Sequence, residues 1–292
     1  MADIAPRYRG DDRDGDLAVP RPLETIASEA DQRAASELAA HGFVRPAPGA
    51  IDWLPVAASD PDWAGFAESW NRLGLDRYMA DGGRYRRRRH AALAITPDAI
   101  ARKPHQPHYQ SRDYNRLNGD VQRWFDPIED GIVDSAMMRR LLRGATDCFE
   151  SAGGGAAAGP WHVELHQFRI EATAHEAGRP TPEGMHRDGV DWVLVMLIDR
   201  VNADEGVTEI RIAGRPQIDR FTLAAPGDAV LLDDHRVLHG VTPIRPIDPE
   251  KPAYRDVFVA TWKGGGGGLR EAFRIKGSCS SQLRGLCTRH RN

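Results

Sequence analysis

Cysteine is scarce in this sequence, which has only Cys148, Cys279 and Cys287 among its 292 residues. An odd and small number of cysteines excludes a disulfide framework, and free thiols suit a reducing compartment. A zinc clip formed by Cys279, Cys287 and His290 is an alternative for the last residues. The first residues also lack the apolar stretch of a secretory signal. We therefore expect a cytoplasmic protein with free cysteines.

Long apolar runs and an excess of basic residues are also missing. The longest aliphatic run covers residues 193–198, far short of the roughly 18 apolar residues that span a bilayer. Lys and Arg number 39 against 42 Asp and Glu, a net charge of −3. No domain-wide positive charge is therefore available to neutralise nucleic-acid phosphates. The sequence predicts a soluble globular protein that binds neither membrane nor nucleic acid.

The two ends of the chain differ in composition from its middle. Residues 1–22 are rich in Asp, Arg and Pro without apolar periodicity, which predicts a flexible N-terminal segment. Residues 264–268 are five consecutive glycines, so we interpret residues 264–292 as a glycine-rich linker and tail outside the sheet. The residues between, 23–263, are predicted to form a single domain.

Within that domain, apolar spacing predicts helices first and strands afterwards. Helices are expected over residues 26–41, 61–73 and 134–151, and helical spacing in the last of these places Cys148 in the core. Short β-rich runs separated by Gly, Pro and Asp follow. These strands are predicted at about 161–171, 191–198, 207–212, 219–224, 228–233 and 255–262. The predicted fold is α+β and mainly β, a sandwich or barrel with N-terminal helices packed on the sheet.

His186 and Asp188 precede the most apolar predicted strand. On an extended chain, residues two apart point to the same side, so this imidazole and carboxylate can converge on one metal ion. The segment 234–240 supplies His235 and His239 as candidates for a third ligand. Two histidines and one carboxylate on one face of an ion leave three positions open, as in non-haem Fe(II) oxygenases. Iron is therefore the predicted metal.

Arg255 begins the last predicted strand and shares a face with Val257 and Val259. An arginine that points into an apolar barrel needs an anion, because an unpaired buried charge is costly. A dicarboxylate cosubstrate would supply that anion. The alternative is an exposed salt bridge with Asp256 or Glu250 at a sheet edge.

Several ordered motifs accompany these residues. They are DGGRYRRRR (81–89), QS (110–111), YNRLN (114–118), PEGMHRDG (182–189), RVLHGVTP (236–243) and YRDV (254–257). Through these motifs, residues 74–262 resemble the bacterial isoleucine dioxygenase group of 2-oxoglutarate/Fe(II)-dependent dioxygenases, which hydroxylate free amino acids. The resemblance implies a double-stranded β-helix (jelly-roll, cupin-like) core at about 161–263. Glu205 departs from the group's pattern, which has a glycine at that position.

The resemblance also implies roles for individual residues. It makes His186, Asp188 and His239 the iron ligands, and it pairs Arg255 with the distal carboxylate of 2-oxoglutarate. The other cosubstrate-binding residues that it implies are Thr242 and Gln110. The expected cofactors are Fe(II), 2-oxoglutarate and O2, with ascorbate supportive in vitro.

Two rival assignments use other histidines. His162, Glu164 and His166 share one face of a predicted strand, where they could bind a metal or line a polar pocket. Glu164 could then contact the substrate. His235 competes with His239 for the third ligand position, but the resemblance favours His239 and makes His235 an outer or surface residue.

The basic run at residues 84–89 leads into an apolar stretch, which suggests a strand that enters the sheet. On a strand, Arg84, Arg86 and Arg88 share one face, and Arg87 and Arg89 share the other. We expect one arginine of the first set to bind the substrate α-carboxylate, with Arg86 the best single choice. The alternative is that all five are surface arginines.

The predicted function is hydroxylation of an unactivated C–H bond of a free L-amino acid, aliphatic or related, with release of succinate and CO2. The same chemistry could instead form an aziridine or desaturate a valine-like amino acid. A cupin-like ligand-binding barrel without turnover is the non-enzymatic alternative. A small-molecule substrate is the expected partner, and a homodimer is possible. The sequence leaves the substrate, the oxidised carbon and the stereochemistry open.

Overall fold

A computed structural model describes residues 28–115, 117–154 and 160–264 of the protein. The predicted flexible segment 1–22 lies outside these residues, and so do Cys279, Cys287 and His290 of the predicted tail. No helix in the described ranges is long and apolar enough to cross a membrane.

The helices of the described residues all lie before residue 153 and cover one face of a sheet. They are α1 (Glu29–His41), α2 (Trp63–Glu68), α3 (Asp130–Val133) and α4 (Ala136–Ala152), with a 3-10 turn at Ser69–Arg72. The predicted helix at 61–73 is thus divided into α2 and the 3-10 turn. Ser135 caps α4, because its hydroxyl accepts a hydrogen bond from the Met138 amide at 3.1 Å. Cys148 is buried on this helix, as its spacing predicts.

The strands of the described residues form two facing sheets and a third sheet of only two strands. They are β1 (Phe43–Val44), β2 (Gly74–Leu75), β3 (Arg86–Ile95), β4 (Ile100–Arg102), β5 (Trp161–Ala172), β6 (Trp192–Val201), β7 (Ala203–Glu205), β8 (Thr208–Ile212), β9 (Asp219–Phe221), β10 (Ala229–Asp233), β11 (Val237–Val241), β12 (Ile244–Pro246) and β13 (Ala253–Gly264). The larger sheet has the order β1-β10-β6-β13-β5-β3-β2, the smaller has the order β11-β8-β9, and the two-stranded sheet consists of β12 and β7. This antiparallel, mainly β architecture confirms the predicted double-stranded β-helix.

The larger sheet has one face toward the helices and one toward the smaller sheet. Leu165 and Ala260 belong to the apolar core that includes α4, and the indole of Trp262 donates to the Thr146 hydroxyl at 2.9 Å. The alternate residues point the other way, since side chains alternate along a strand. His166 is paired with Val259 on β13, so it faces the space between the two sheets.

Three local features differ from the sequence prediction. Arg84 precedes β3 and is exposed, so it does not share the inner face with Arg86, because the strand begins two residues later. Gly264 is the last residue of β13 rather than the start of a linker, and its amide donates to Asp191 at 2.6 Å. Glu205 has φ 59°, a left-handed conformation that glycine adopts without cost. This explains why a glycine is expected at that position.

Candidate metal centre

His186, Asp188 and His239 are brought together by backbone pairing. His186 and Asp188 lie in the segment before β6, and His239 lies in the middle of β11. The His186 amide donates to the His239 carbonyl at 2.9 Å, and the reverse hydrogen bond measures 3.0 Å. This pairing places the two imidazoles side by side, with ring centroids 4.7 Å apart.

The ligand-type atoms of these three residues converge on one point. The nearest Asp188 oxygens lie 3.5 Å from His186 Nε2 and 3.3 Å from His239 Nε2. All three ligand atoms lie within 4.8 Å of one another. His186 Nδ1 is 3.0 Å from the Gly184 carbonyl, which fixes a proton on Nδ1 and makes Nε2 the nitrogen that faces the other two groups.

Asp234 and Gln110 hold the segment around Asp188 through hydrogen bonds. The Asp234 carboxylate accepts hydrogen bonds from the amides of Asp188, Gly189 and Val190 at 2.9, 2.8 and 3.1 Å. The Gln110 amide nitrogen donates to the Asp188 carbonyl at 3.0 Å and approaches its carboxylate at 3.4 Å. Gln110 therefore orients a ligand-type residue, a contact that its implied cosubstrate role does not require.

The three groups hold one another in charged form. Burial alone would raise the pKa of Asp188, but the neighbouring imidazoles of His186 and His239 hold it well below its usual range. Burial lowers the pKa of His239, yet contacts with Asp188 and Asp234 outweigh this and raise it to about 10. The protons that these imidazoles share with the carboxylate are those that a divalent cation displaces on binding.

The arrangement suits a divalent transition metal. Nε2 of His239 is buried and makes no well-directed hydrogen bond among the described residues, although an Asp188 oxygen lies 3.3 Å away. Burying this nitrogen without a directed partner is unfavourable, and a metal that displaced its proton would satisfy it. Two imidazoles and one carboxylate on one side of an ion form the facial set of non-haem iron sites.

Arg255 lies on the face of the larger sheet that is directed toward the smaller sheet, as His166 does. It is 1% exposed, and its Nε and Nη2 have no hydrogen-bond partner among the described residues. β13 lies between β5 and β6, and the neighbouring Asp256 is bound by Arg169 at 2.6 and 2.8 Å. The edge salt bridge is therefore wrong as an account of Arg255. Burial first, and then the charge of Arg200, lowers the pKa of Arg255 to about 10, and the charge of Asp256 offsets this only in part.

Thr242 supports the loop against which Arg255 packs. Its hydroxyl accepts a hydrogen bond from the Val207 amide at 2.9 Å, and a Cβ at Gly206 would lie 3.6 Å from the Arg255 Cδ. Thr242 thus holds the segment beside the guanidinium.

A second group of ligand-type residues lies on β3, β5 and the chain between β4 and α3. Its members, His90, His108, Glu164 and His166, also have ligand atoms within 4.8 Å of one another. Glu164 lies 2.8 Å from His108 Nδ1, 3.4 Å from His90 Nε2 and 3.9 Å from His166 Nε2. We call these four residues the histidine cluster. His162, part of the rival assignment, lies 2.6 Å from Lys103 and 3.7 Å from Glu164.

One member of the histidine cluster, His166, has no free lone pair to offer a metal at the centre of the group. Arg88 Nη2 lies 2.9 Å from His166 Nδ1, and because a guanidinium only donates, Nδ1 must accept. The proton of neutral His166 is then on Nε2, the atom that faces Glu164. Burial holds the pKa of His166 well below its usual range and lowers that of His108 to about 4. Nearby Arg88 and Arg123 add positive charge that repels a cation.

The basic run follows the predicted alternation only in part. Arg86 and Arg88 are 6% and 4% exposed, respectively, whereas Arg87 and Arg89 are partly exposed and ion-paired with Glu171 and Glu129. Arg86 is occupied by Asp76, whose oxygen lies 2.8 Å from Nε and 2.7 Å from Nη2. The guanidinium of Arg88 stacks on Phe125 at 3.9 Å and on Phe168 at 4.4 Å.

His235 does not join the metal-type cluster. Its side chain is 70% exposed, and Nε2 lies 2.7 Å from Asp191. This placement agrees with the surface interpretation of His235.

Sequence reasoning missed several residues near these groups. Glu183 lies three positions before His186 in a motif that the sequence analysis already singles out, so proximity along the chain was a usable signal. The other missed residues are His90, His108, Arg123 and the supporting Asp234. The first three come from segments far from Glu164 in sequence, and no spacing rule connects them.

A family model described as 2OG-Fe dioxygenase matches residues 67–261. The curated 3(1)-hydroxy-L-isoleucine 4-dioxygenase of Pantoea ananatis (strain AJ13355) is 28% identical over 161 residues, which are 54% of this chain and 64% of that protein. The match thus spans less than two thirds of that relative. The L-isoleucine-4-hydroxylase of Bacillus thuringiensis is 25% identical over 175 residues, 60% of this chain and 72% of that protein.

One solved structure is more similar in sequence. The crystal structure of a bsmA homolog from Methylobium petroleophilum PM1 superposes with a TM-score of 0.72 at 36% identity. The superposition covers 80% of this chain and 93% of that chain.

Proposed function

Since this chain belongs to the 2OG-Fe dioxygenase family, we propose that it hydroxylates an unactivated C–H bond of a free L-amino acid and releases succinate and CO2. The family uses Fe(II), 2-oxoglutarate and O2, which makes this chain an oxidoreductase rather than a non-catalytic binding barrel. Two relatives are named for hydroxylation of isoleucine or hydroxyisoleucine. Those names support an aliphatic amino acid as the substrate class.

His186, Asp188 and His239 would bind the iron in this proposal. The observation that carries it is the convergence of two imidazoles and one carboxylate within 4.8 Å, with Asp188 held by Asp234. When bound, Fe(II) together with 2-oxoglutarate supplies the oxidation of a C–H bond by dioxygen. The protein then has to orient the substrate carbon toward that centre and exclude water.

Arg255 would bind the distal carboxylate of 2-oxoglutarate. Its guanidinium is buried with two unpartnered nitrogens, and the planar fork of arginine matches a carboxylate in a bidentate manner. Thr242 would complete this subsite, since its hydroxyl orders the Val207 amide beside it. Gln110 would act through Asp188 by keeping the carboxylate of that residue in one orientation.

The test is a product screen across the common L-amino acids with Fe(II), ascorbate and 2-oxoglutarate. We expect one class of amino acid to stimulate succinate release and to gain the mass of one oxygen atom. A mass loss of two hydrogens would instead indicate ring closure to an aziridine or desaturation. If no free amino acid stimulated succinate release, the proposed substrate class would be wrong.

A further inference from the structure

Arg123 and Glu183 are buried charged residues outside the triad and the proposed cosubstrate subsite. Arg123 is 2% exposed, and its Nε and Nη2 have no hydrogen-bond partner among the described residues. The Glu183 side chain is 10% exposed, and its Oε2 likewise has no partner. Buried charged atoms without partners cost free energy unless a ligand supplies them.

The surroundings of Arg123 carry an excess of positive charge. Its guanidinium interacts electrostatically with Arg86 and Arg88, and with the carboxylates of Asp76 and Glu164. Three guanidiniums against these two carboxylates leave one positive charge. Asp76 is already bound by Arg86 at 2.7 Å and approached by Arg88 at 3.9 Å. Arg123 is therefore the guanidinium that lacks a carboxylate of its own.

Glu183 provides the opposite charge beside the proposed iron ligands. Its Oε1 lies 3.6 Å from Nε2 of His186, so the carboxylate lies directly beside the triad. Glu183 also acts electrostatically on Arg123, yet the two side chains form no ion pair within the described residues. The structure thus holds a cation and an anion apart, both buried and both incompletely bonded.

We propose that Arg123 binds the α-carboxylate and Glu183 the α-ammonium group of the amino-acid substrate. A free α-amino acid carries these two opposite charges on one carbon, so it complements both side chains and leaves the net charge of the pocket unchanged. The assignment replaces Arg86, which Asp76 occupies, as the carboxylate-binding arginine. This inference rests on the proposed function.

The experiment uses the full chain with Fe(II) and 2-oxoglutarate, and the amino acid that gives most succinate in the screen. That amino acid is compared with its α-carboxamide and with its deamino carboxylic acid. Hydrogen bonds to charged groups contribute about 1.5–3 kcal/mol, so R123Q should raise the apparent KM for the amino acid about 10- to 150-fold. R123Q should also lose the preference for the acid over the carboxamide. E183Q should raise the same KM and lose the preference over the deamino acid.

Several readouts separate this role from others. The KM for 2-oxoglutarate and the iron bound per chain should stay at their wild-type values in both variants. R123K retains the charge without the fork, so it should fold and show an intermediate KM. The matched control is R87Q, because Arg87 lies on the opposite face of β3 with Glu171; its KM values should not change.

Different outcomes overturn different claims. Loss of iron in E183Q would assign Glu183 to the metal site, and a raised 2-oxoglutarate KM in R123Q would assign Arg123 to the cosubstrate. Wild-type discrimination among the three ligands in R123Q and E183Q would overturn the substrate role while the proposed function stands. If no amino acid is turned over by the wild-type protein, the proposed function fails first, and this assignment fails with it.

Discussion

The metal-type triad and the histidine cluster contain similar residues in opposite electrostatic settings. Both place imidazoles and a carboxylate within 4.8 Å of one another on the inner faces of the two sheets. The triad is flanked by the carboxylates of Asp234 and Glu183. The histidine cluster is flanked by the guanidiniums of Arg88 and Arg123. One setting attracts a cation, and the other repels it.

The direction of the imidazole lone pairs separates the two groups further. In the triad, His186 Nδ1 lies against a carbonyl, so its Nε2 faces the shared centre. In the histidine cluster, Arg88 occupies the lone pair of His166. Ligand-type residues at short distances therefore do not by themselves make a metal site. What contacts the second nitrogen of each imidazole decides the matter.

Removal of a triad residue should have the largest effect. H239A removes one of the three proposed iron ligands and with it the facial geometry. Loss of a residue that only supports a ligand typically lowers activity by roughly 10- to 100-fold, so turnover in H239A should fall by more than this. H166A, a matched histidine deletion in the other cluster, should retain iron. Succinate release and bound iron measure the two effects. If H239A retained iron and H166A lost it, the assignment of iron to the triad would be wrong.

Arg255, like Arg123 and Glu183, is a buried charged residue with side-chain atoms that have no hydrogen-bond partner among the described residues. R255Q removes charge-assisted hydrogen bonds worth about 1.5–3 kcal/mol, so the apparent KM for 2-oxoglutarate should rise about 10- to 150-fold. R169K is the control, because Arg169 is bound to Asp256. This variant should leave the KM for 2-oxoglutarate unchanged. An unaltered 2-oxoglutarate titration in R255Q would contradict the cosubstrate role.

The histidine cluster should make stability depend on pH. Burial lowers the pKa of His108 from 6.5 to about 4, so between these values the unfolded chain binds more protons than the folded one. Stability should therefore fall as the pH falls through this window, by about 1.4 kcal/mol for each pH unit and each proton. H108N retains a donor toward Glu164 without titrating. Urea denaturation at pH 7 and pH 5 should show a smaller difference for H108N, and an equal difference would remove His108 as the cause.

His235 should have the smallest effect. It is exposed and ion-paired with Asp191, so H235A should change stability by no more than about 0.5 kcal/mol. Turnover and bound iron should match those of the wild-type protein. A loss of iron in H235A comparable with that in H239A would reverse the choice between the two histidines.

The sequence predicts the triad because its parts are local or recognisable. His186 and Asp188 are two residues apart, and His239 lies in a motif that resembles a known family. β11 itself was not predicted as a strand, although it carries His239. Its five residues include a glycine and follow a turn, so the strand pattern there is weak.

The histidine cluster was not predictable, because it depends on sheet register. His90 faces His166 only because β3 pairs with β5 in one specific register, and no pattern within either strand encodes that pairing. His108 reaches Glu164 from outside both strands. Glu205 shows the converse case, since an expected glycine marked a position whose φ is indeed positive.

The central claim is that the triad, and not the histidine cluster, binds the catalytic iron. The most direct test is an anaerobic Fe(II) titration with 2-oxoglutarate, monitored by the charge-transfer absorption that appears when the cosubstrate chelates the metal. We expect the wild-type protein and the H90A/H108A double variant to bind one iron per chain and to show this absorption. We expect D188A to bind no iron and to show no such absorption. Normal absorption in D188A, together with its loss in H90A/H108A, would contradict the account.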